Sequence, residues 1–341
     1  MGLFGKKKDP AIIVHVFGKT DVGRQRDHNE DSFLVADLSQ RNASLKPEVR
    51  THELGPKGTL LMVADGMGGA AAGEVASEMA TSLVYEHLAT SWLEDDENTP
   101  QQFAHRMREA VEVANARIHE HSREHPDRRG MGTTTTAVGV LGNFLYLTHV
   151  GDSRAYLIRN GVATQITKDQ SLMQRLIDAG ELTEEEAEKS DRRNIILQAL
   201  GPDPRVRVDL THHELRRGDA VVVCSDGLSG LVRKEEIAEG VTQQPDLVQA
   251  CADLIDLANE RGSPDNVTVV IARFEGEGLR DPGDEEAEGY QIYPLLDTES
   301  TTEPVPVYKG SDPPPAAETA RMLLTGVAGA LAVFVAVLLA A

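Results

Sequence analysis

The apolar positions of this chain fall into short continuous runs separated by longer amphipathic stretches. Residues 59–65 and 220–226 are each an apolar run that ends in one aspartate followed by glycine. Runs of this length, bounded by turn residues, predict buried strands. Further strands are predicted at 11–17, 32–36, 205–212 and 266–274. The pairs 132–140/144–149 and 154–159/162–166 flank Gly142-Asn143 and Asn160-Gly161, and so predict two hairpins of one antiparallel meander. Asn-Gly favours the tight type I′ turn, because both central residues take positive φ. Helical spacing appears from Gly73 to about Trp92, with Val75, Met79 and Leu83 on one face. It recurs over 101–124, with Phe103, Met107, Val111, Ala114 and Ile118 inward, and again at 234–240 and 246–261. Residues 38–58 read as a surface loop, and 168–204 as broken, acidic helix in which Thr183 and Glu186 fit a capping box.

The pattern changes after Phe274. Residues 275–320 are rich in Asp, Glu, Gly, Pro and Thr, which predicts a disordered linker. Residues 322–341 carry no charged side chain and directly follow Arg321. Twenty helical residues rise about 30 Å, the thickness of a bilayer's hydrocarbon core, so this run predicts a transmembrane helix. Gly326 and Ala330 add a small-xxx-small pair, as at helix–helix contacts in membranes. The start lacks a signal peptide's apolar core and reads as a flexible basic segment, residues 1–10. The expected arrangement is a folded domain at 11–274 on the cytoplasmic side of the inner membrane, tethered by a single C-terminal span.

Charge narrows the partners. The chain has 34 Lys and Arg against 55 Asp and Glu, a formal net charge of -21. Nucleic-acid binding needs a positive face, so no nucleic-acid partner is expected. Cys224 and Cys251 both sit in apolar contexts, which suits a reducing compartment. His105, His119, His121 and His125 lie on the polar face of the second helix and read as solvent-facing rather than as a zinc site.

A single strand-end Asp-Gly is usually a turn. Here Asp31, Asp65, Asp152, Asp226 and Asp265 come from strand ends and loops far apart in the chain. Carboxylates of this kind are ligands for Mg²⁺ or Mn²⁺. Neither a Gly-x-Ser-x-Gly elbow nor a phosphate-binding loop is present. The residues therefore point to metal-assisted chemistry on an anion, with Arg26 as a candidate anion clamp.

Six motifs occur in order: Arg26-x-x-Asn29-Glu30-Asp31, Asp65-Gly66-Met67-Gly68-Gly69, Gly132-Thr133-Thr134, Gly151-Asp152-Ser153-Arg154, Ser225-Asp226-Gly227-Leu228 and Asp265-Asn266-Val267-Thr268. On these the chain resembles the metal-dependent protein serine/threonine phosphatases, the PPM or type 2C family, in their bacterial form. The resemblance implies an α+β fold, a four-layer α-β-β-α sandwich of two antiparallel sheets flanked by helices. It implies that Asp31, Asp65, Asp226, Asp265 and the carbonyl of Gly66 hold two Mg²⁺ or Mn²⁺ ions, with Asp152 and Asp226 at a third. Arg26 then holds the phosphoryl group, Glu30 stands behind the ligands, and 168–204 is a flap. A metal-bridging hydroxide would attack phosphorus of phosphoserine or phosphothreonine in proteins phosphorylated by Ser/Thr kinases, with no phosphoenzyme. Two positions depart from the pattern: Met67 stands where some relatives carry a histidine, and Gln170 where many bacterial members carry one. The alternatives are a phosphatase of a sigma-factor partner switch, a general small-molecule phosphatase, or a catalytically silent membrane-anchored binding module.

Overall fold

The computed structural model describes residues 10–43, 50–68, 72–96, 98–284 and 286–295. In chain order its elements are β1 Ile13–Asp21, β2 Asp31–Asp37, β3 Asn42–Ala43, β4 Thr51–Glu53, β5 Thr59–Met67, α1 Ala72–Ser91 and α2 Pro100–Glu124. A short 3-10 turn, Pro126–Arg128, leads to β6 Gly132–Thr133, β7 Thr135–Leu141, β8 Phe144–Val150, β9 Arg154–Arg159 and β10 Val162–Gln165. Then come α3 Leu172–Asp178, α4 Glu184–Glu188, β11 Asp209–Glu214, β12 Ala220–Cys224, α5 Asp226–Ser229, α6 Lys234–Gln243, α7 Leu247–Glu260 and β13 Val267–Glu275.

The strands form two antiparallel sheets. One runs β10-β9-β12-β13-β1-β4; the other runs β11-β8-β7-β5-β2-β3, with β6 paired to β5. Strand side chains alternate between faces, and the apolar runs use both. In β5, Leu61 and Val63 enter the core between the sheets, while Leu60, Met62 and Ala64 pack under α1 and α2. In β12, Val221 and Val223 face the other sheet, while Val222 and Cys224 pack with α6 and α7. An unbroken apolar run in an antiparallel strand thus marks a strand covered on both faces. The result is the expected four-layer sandwich.

The helices show where periodicity misled. Val75, Met79 and Leu83 of α1 are only half-buried; its fully covered stripe is Ala76, Ala80, Val84 and Leu88. Small residues let α1 lie close on the sheet, so the larger ones sit at its flank. α2 buries the expected face, and Trp92 and Phe103 meet at 5.0 Å between ring centroids. Asn160 and Gly161 both have positive φ, as the type I′ turn requires. The strand expected at 205–212 begins instead at Asp209, and the loop 38–58 contains the short strands β3 and β4.

The expected linker differs most. Residues 276–284 and 286–295 form an ordered strap on the sandwich rather than free coil. Leu279 is 2% exposed and Ala287 joins the core between the sheets. Ile292 bridges Thr211 on the edge strand β11, and the Tyr293 ring stands 5.5 Å from that of Tyr146. Its hydroxyl reaches Gln101 at the start of α2. The polar average of this stretch hid a few well-spaced anchors. Among the described residues no helix is long and apolar enough to cross a membrane. The expected basic start at 1–9, the rest of the linker and the span at 322–341 lie outside the described residues.

Ending the chain after Glu275 removes Leu279, Ala287 and Tyr293 from these contacts. That costs about 3 kcal/mol of buried apolar surface, or roughly 5–10 °C for a domain of this size. Thermal melts of chains ending at 275 and 295 check this; equal melting temperatures would mean that the strap contributes nothing.

Candidate active site

Register brings the aspartates together. In the β2–β5 pair Asp31 stands directly opposite Asp65, which places their Cβ atoms about 5 Å apart. In the other sheet β12 ends at Cys224 beside Val269, so Asp226, two residues on, lies at the end where β13 begins after Asp265. The two sheets present these ends to one another. Ser225 Oγ and Thr268 Oγ1 both donate to Asp31 Oδ2, at 2.8 and 2.6 Å, from the opposite sheet. Asp65 stands close enough to Asp226 to share a hydrogen bond with it.

The backbone around these carboxylates is pinned by the flanking motif residues. Asn266 donates from Nδ2 to the carbonyls of Val22 and His28, both at 2.9 Å, and accepts from the Glu30 amide at 2.8 Å. One side chain therefore fixes the loop carrying Arg26 to the start of β13. The Thr134 amide donates to Asp65 O and Thr134 Oγ1 accepts from the Asp65 amide, while Thr133 Oγ1 also donates to Asp65 O. Gly66 allows no substitute, because a Cβ there would run into the carbonyl oxygens of Gly73 and Glu30. Its amide donates to Glu30 O at 3.1 Å.

Asp152 arrives from the β8–β9 turn and is buried, with Oδ1 lacking any partner. Next to it Arg154 grips Asp169 with Nε and Nη2 at 2.7–3.0 Å. Gln170, at the flap's entry, accepts from the Gly151 amide through Oε1 at 3.1 Å, and its own amide donates to Gly151 O. It latches the flap to the Asp152 turn. Arg26 is exposed, and its Nη2 meets Asp265 Oδ2 at 2.9 Å. His28 enters this hydrogen-bond network through its backbone carbonyl.

The electrostatics are those of crowded negative charge. Burial pushes the Asp31 carboxyl up to about 7, against hydrogen bonds from Thr268 and Ser225 that favour its charged form. Burial and then Asp226 push Asp152 up to about 8. Asp65 is held well above the usual range by burial, then by Asp31, Asp226, Asp152 and Asp265. Burial and Asp265 raise Asp226. Carboxylates this close cannot all ionise without a counter-charge.

These residues fit a hard divalent cation: the donors are all oxygen, one buried carboxylate oxygen is unpartnered, and the negative charge is uncompensated. Among the described residues no three acidic, histidine or cysteine side chains already form a chelating group. Mg²⁺-type ions take one or two carboxylates each and keep several waters, so a spread cluster suits them better than a closed cage.

A family model described as protein phosphatase 2C matches residues 49–269. The chain belongs to the protein phosphatase 2C family. It is 40% identical over 262 residues to the serine/threonine protein phosphatase PstP of Mycobacterium tuberculosis, covering 77% of this chain and 45% of that protein. The chain thus matches less than half the length of that relative. The serine/threonine phosphatase stp of Listeria monocytogenes is 35% identical over 259 residues, 76% of this chain and 95% of that one. The crystal structure of M. tuberculosis PstP superposes with a TM-score of 0.64, covering 77% of this chain and 99% of that one, at 40% identity. The PstP catalytic domain in complex with two manganese ions gives a TM-score of 0.63 at 38% identity, with 77% and 99% covered.

Sequence reasoning located the five aspartates, Gly66 and Arg26, and this 2C-family sandwich gathers them at one end. It missed the residues that hold them: Ser225 and Thr268 on Asp31, Asn266 as the loop's pin, and Asp169 under Arg154. Ser225, Thr268 and Asn266 stand inside the quoted motifs, so the signal was present without a partner to attach it to. No pattern pointed to Asp169.

The raised carboxyls set a pH dependence. The ordinary Asp value is 3.8, so with cations removed the folded state keeps protons that the unfolded chain releases. That stabilisation is complete below about pH 4 and is lost as pH rises through about 7–8. In chelator the melting temperature is expected to fall from pH 5 to pH 8. Mn²⁺ at pH 8 restores it, and Asp152→Asn flattens the fall. A flat profile in the wild-type protein would rule out the crowding.

Proposed function

We propose that this protein is a Mg²⁺- or Mn²⁺-dependent phosphatase of phosphoserine and phosphothreonine in proteins. The observation that carries the reading is the gathering of Asp31, Asp65, Asp226 and Asp265 at one end of both sheets, in a member of the 2C family. Asp31, Asp65, Asp226, Asp265 and the Gly66 carbonyl would hold two ions, and Asp152 with Asp226 a third. When bound, the ions supply Lewis acidity towards the phosphoryl oxygens and lower the pKa of a bound water.

The chain's own residues do the rest. A phosphate monoester dianion meets a cluster that repels it until cations are present, so binding of cation and substrate is linked. Arg26 is exposed at the rim and its planar fork matches two phosphoryl oxygens; it exchanges Asp265 for the substrate. Ser225 and Thr268 hold Asp31 in one orientation, which keeps its second oxygen free. Met67 cannot donate a proton, so the leaving alkoxide takes its proton from water.

The test is phosphate release from a phosphothreonine peptide by the full chain with Mn²⁺, with chelator, and in two variants. Turnover is expected only with the metal. Arg26→Ala lowers kcat/KM by about 10- to 100-fold, the value of a charged hydrogen-bonded pair. Asp226→Asn costs at least as much. Metal-independent turnover, or none with any divalent metal in a folded protein, overturns the reading.

We also propose that residues 322–341 tether the enzyme to the inner membrane with its catalytic domain in the cytoplasm. The support is their uncharged length behind Arg321. A tether raises the effective concentration near membrane-bound phosphoproteins. The full chain is expected in the membrane fraction and a chain ending at Arg321 in the soluble one; the same distribution for both excludes the tether.

A further inference from the structure

A cavity of about 650 Å³ opens at the C-terminal end of α2; its walls include His119, Ser122, Arg123, Pro126, Arg129 and Pro202, and none of the five aspartates lines it. Volumes of this order hold small ligands. Its charged lining is wholly basic, in a chain of net charge -21. Two acids near in sequence are turned elsewhere: Glu120 towards Arg117 at 3.4 Å, and Asp127 towards Arg128 at 3.9 Å. Among the described residues neither Arg123 nor Arg129 has an ion-pair partner, whereas Arg154, Arg159 and Arg261 each grip a carboxylate.

Basic residues often gather at a helix C-terminus to answer its partial negative charge. Here that role is taken by others. The His125 amide and Nδ1 both meet His121 O, and Arg128 Nη1 bonds to His121 Nε2 at 2.7 Å. Ser122 Oγ donates to Arg128 O and accepts from the Gly130 amide, which shapes the rim and leaves Arg129 beyond it. Two uncommitted guanidinium forks on one concave wall match a tetrahedral oxyanion.

The cavity also touches the flap's return. His119 Nδ1 donates to Gly201 O at 2.8 Å, so in the neutral ring its Nε2 is an acceptor, open to the hydroxyl of a protonated phosphate. Pro202 is part of the wall, and the amide of the adjoining Gly201 donates to Asn115 Oδ1. One residue earlier, Leu200 exchanges both backbone bonds with Thr133, whose hydroxyl donates to Asp65 O. The path from His119 to Asp65 is thus hydrogen-bonded or covalent at each step.

We propose that this cavity binds a phosphate-class oxyanion between Arg123, Arg129 and His119, and that its occupancy steadies the flap's returning segment at Leu200 against Thr133. The oxyanion is either free inorganic phosphate or a second phosphoryl group on a multiply phosphorylated protein. The binding claim stands without the proposed activity. The assignment of a source rests on that activity.

The first test is titration of the full chain with inorganic phosphate, in chelator so that the aspartate cluster repels the anion. Saturable binding is expected by calorimetry, weakened about tenfold or more in Arg123→Gln/Arg129→Gln. Circular dichroism establishes that the variant is folded. No saturable binding, or equal binding by the folded variant, overturns the proposal whether or not the protein is a phosphatase. With Mn²⁺, kcat/KM is then compared for singly and doubly phosphorylated peptides. If the variant loses a preference for the doubly phosphorylated peptide, the site takes a substrate phosphoryl group. If it loses only the response of the rate to added phosphate, the site takes the free anion. A variant that changes neither overturns the link to the flap.

Discussion

Mutual repulsion among carboxylates is the constraint on which this structure depends. Asp31 and Asp65 face each other across one sheet, and Asp226 and Asp265 approach from the end of the other. The unfolded chain keeps these charges apart and hydrated. Folding concentrates them, so the sandwich must be held shut there by other means. Ser225 and Thr268 reach across to Asp31 Oδ2, Thr133 and Thr134 clamp the backbone of Asp65, and Asn266 ties down the loop before β2. Net hydrogen bonds contribute about 1 kcal/mol each, and more to charged groups. Several together offset the crowding; none alone would.

This division of labour separates stability from chemistry. The core between the sheets, from Ile12 to Ala287, is apolar and contains none of the aspartates. The outer layers likewise pack by alternation of small and large apolar groups. The polar end can therefore keep an unpartnered Asp152 oxygen and still fold. Local frustration is tolerated because it is confined to one rim of a large core, as expected where a site is reserved for a ligand.

Much of this was legible in the residues. The strands β5 and β12 announced themselves by unbroken apolar runs, and Asn160-Gly161 by its turn chemistry. The ordered motifs also foretold which aspartates would meet. Three things were not legible, each for a physical reason. The close face of α1 is lined by alanine, which carries little periodic signal. The strap after Glu275 is mostly polar, and its few anchors act only against a finished sandwich. The partners of Asp31 lie more than 190 residues away in the chain, and no local pattern reports a contact of that range.

The strap has a meaning beyond its contacts. β11 is the terminal strand of its sheet, and such a strand exposes unpaired amides and carbonyls that can recruit another chain. Here the His212 amide donates to Gln291 O and the Tyr293 amide to Leu210 O. The strap thus occupies the edge as an irregular extra strand. Those backbone groups of β11 are therefore already paired within the chain and are not open to a strand from a neighbouring molecule.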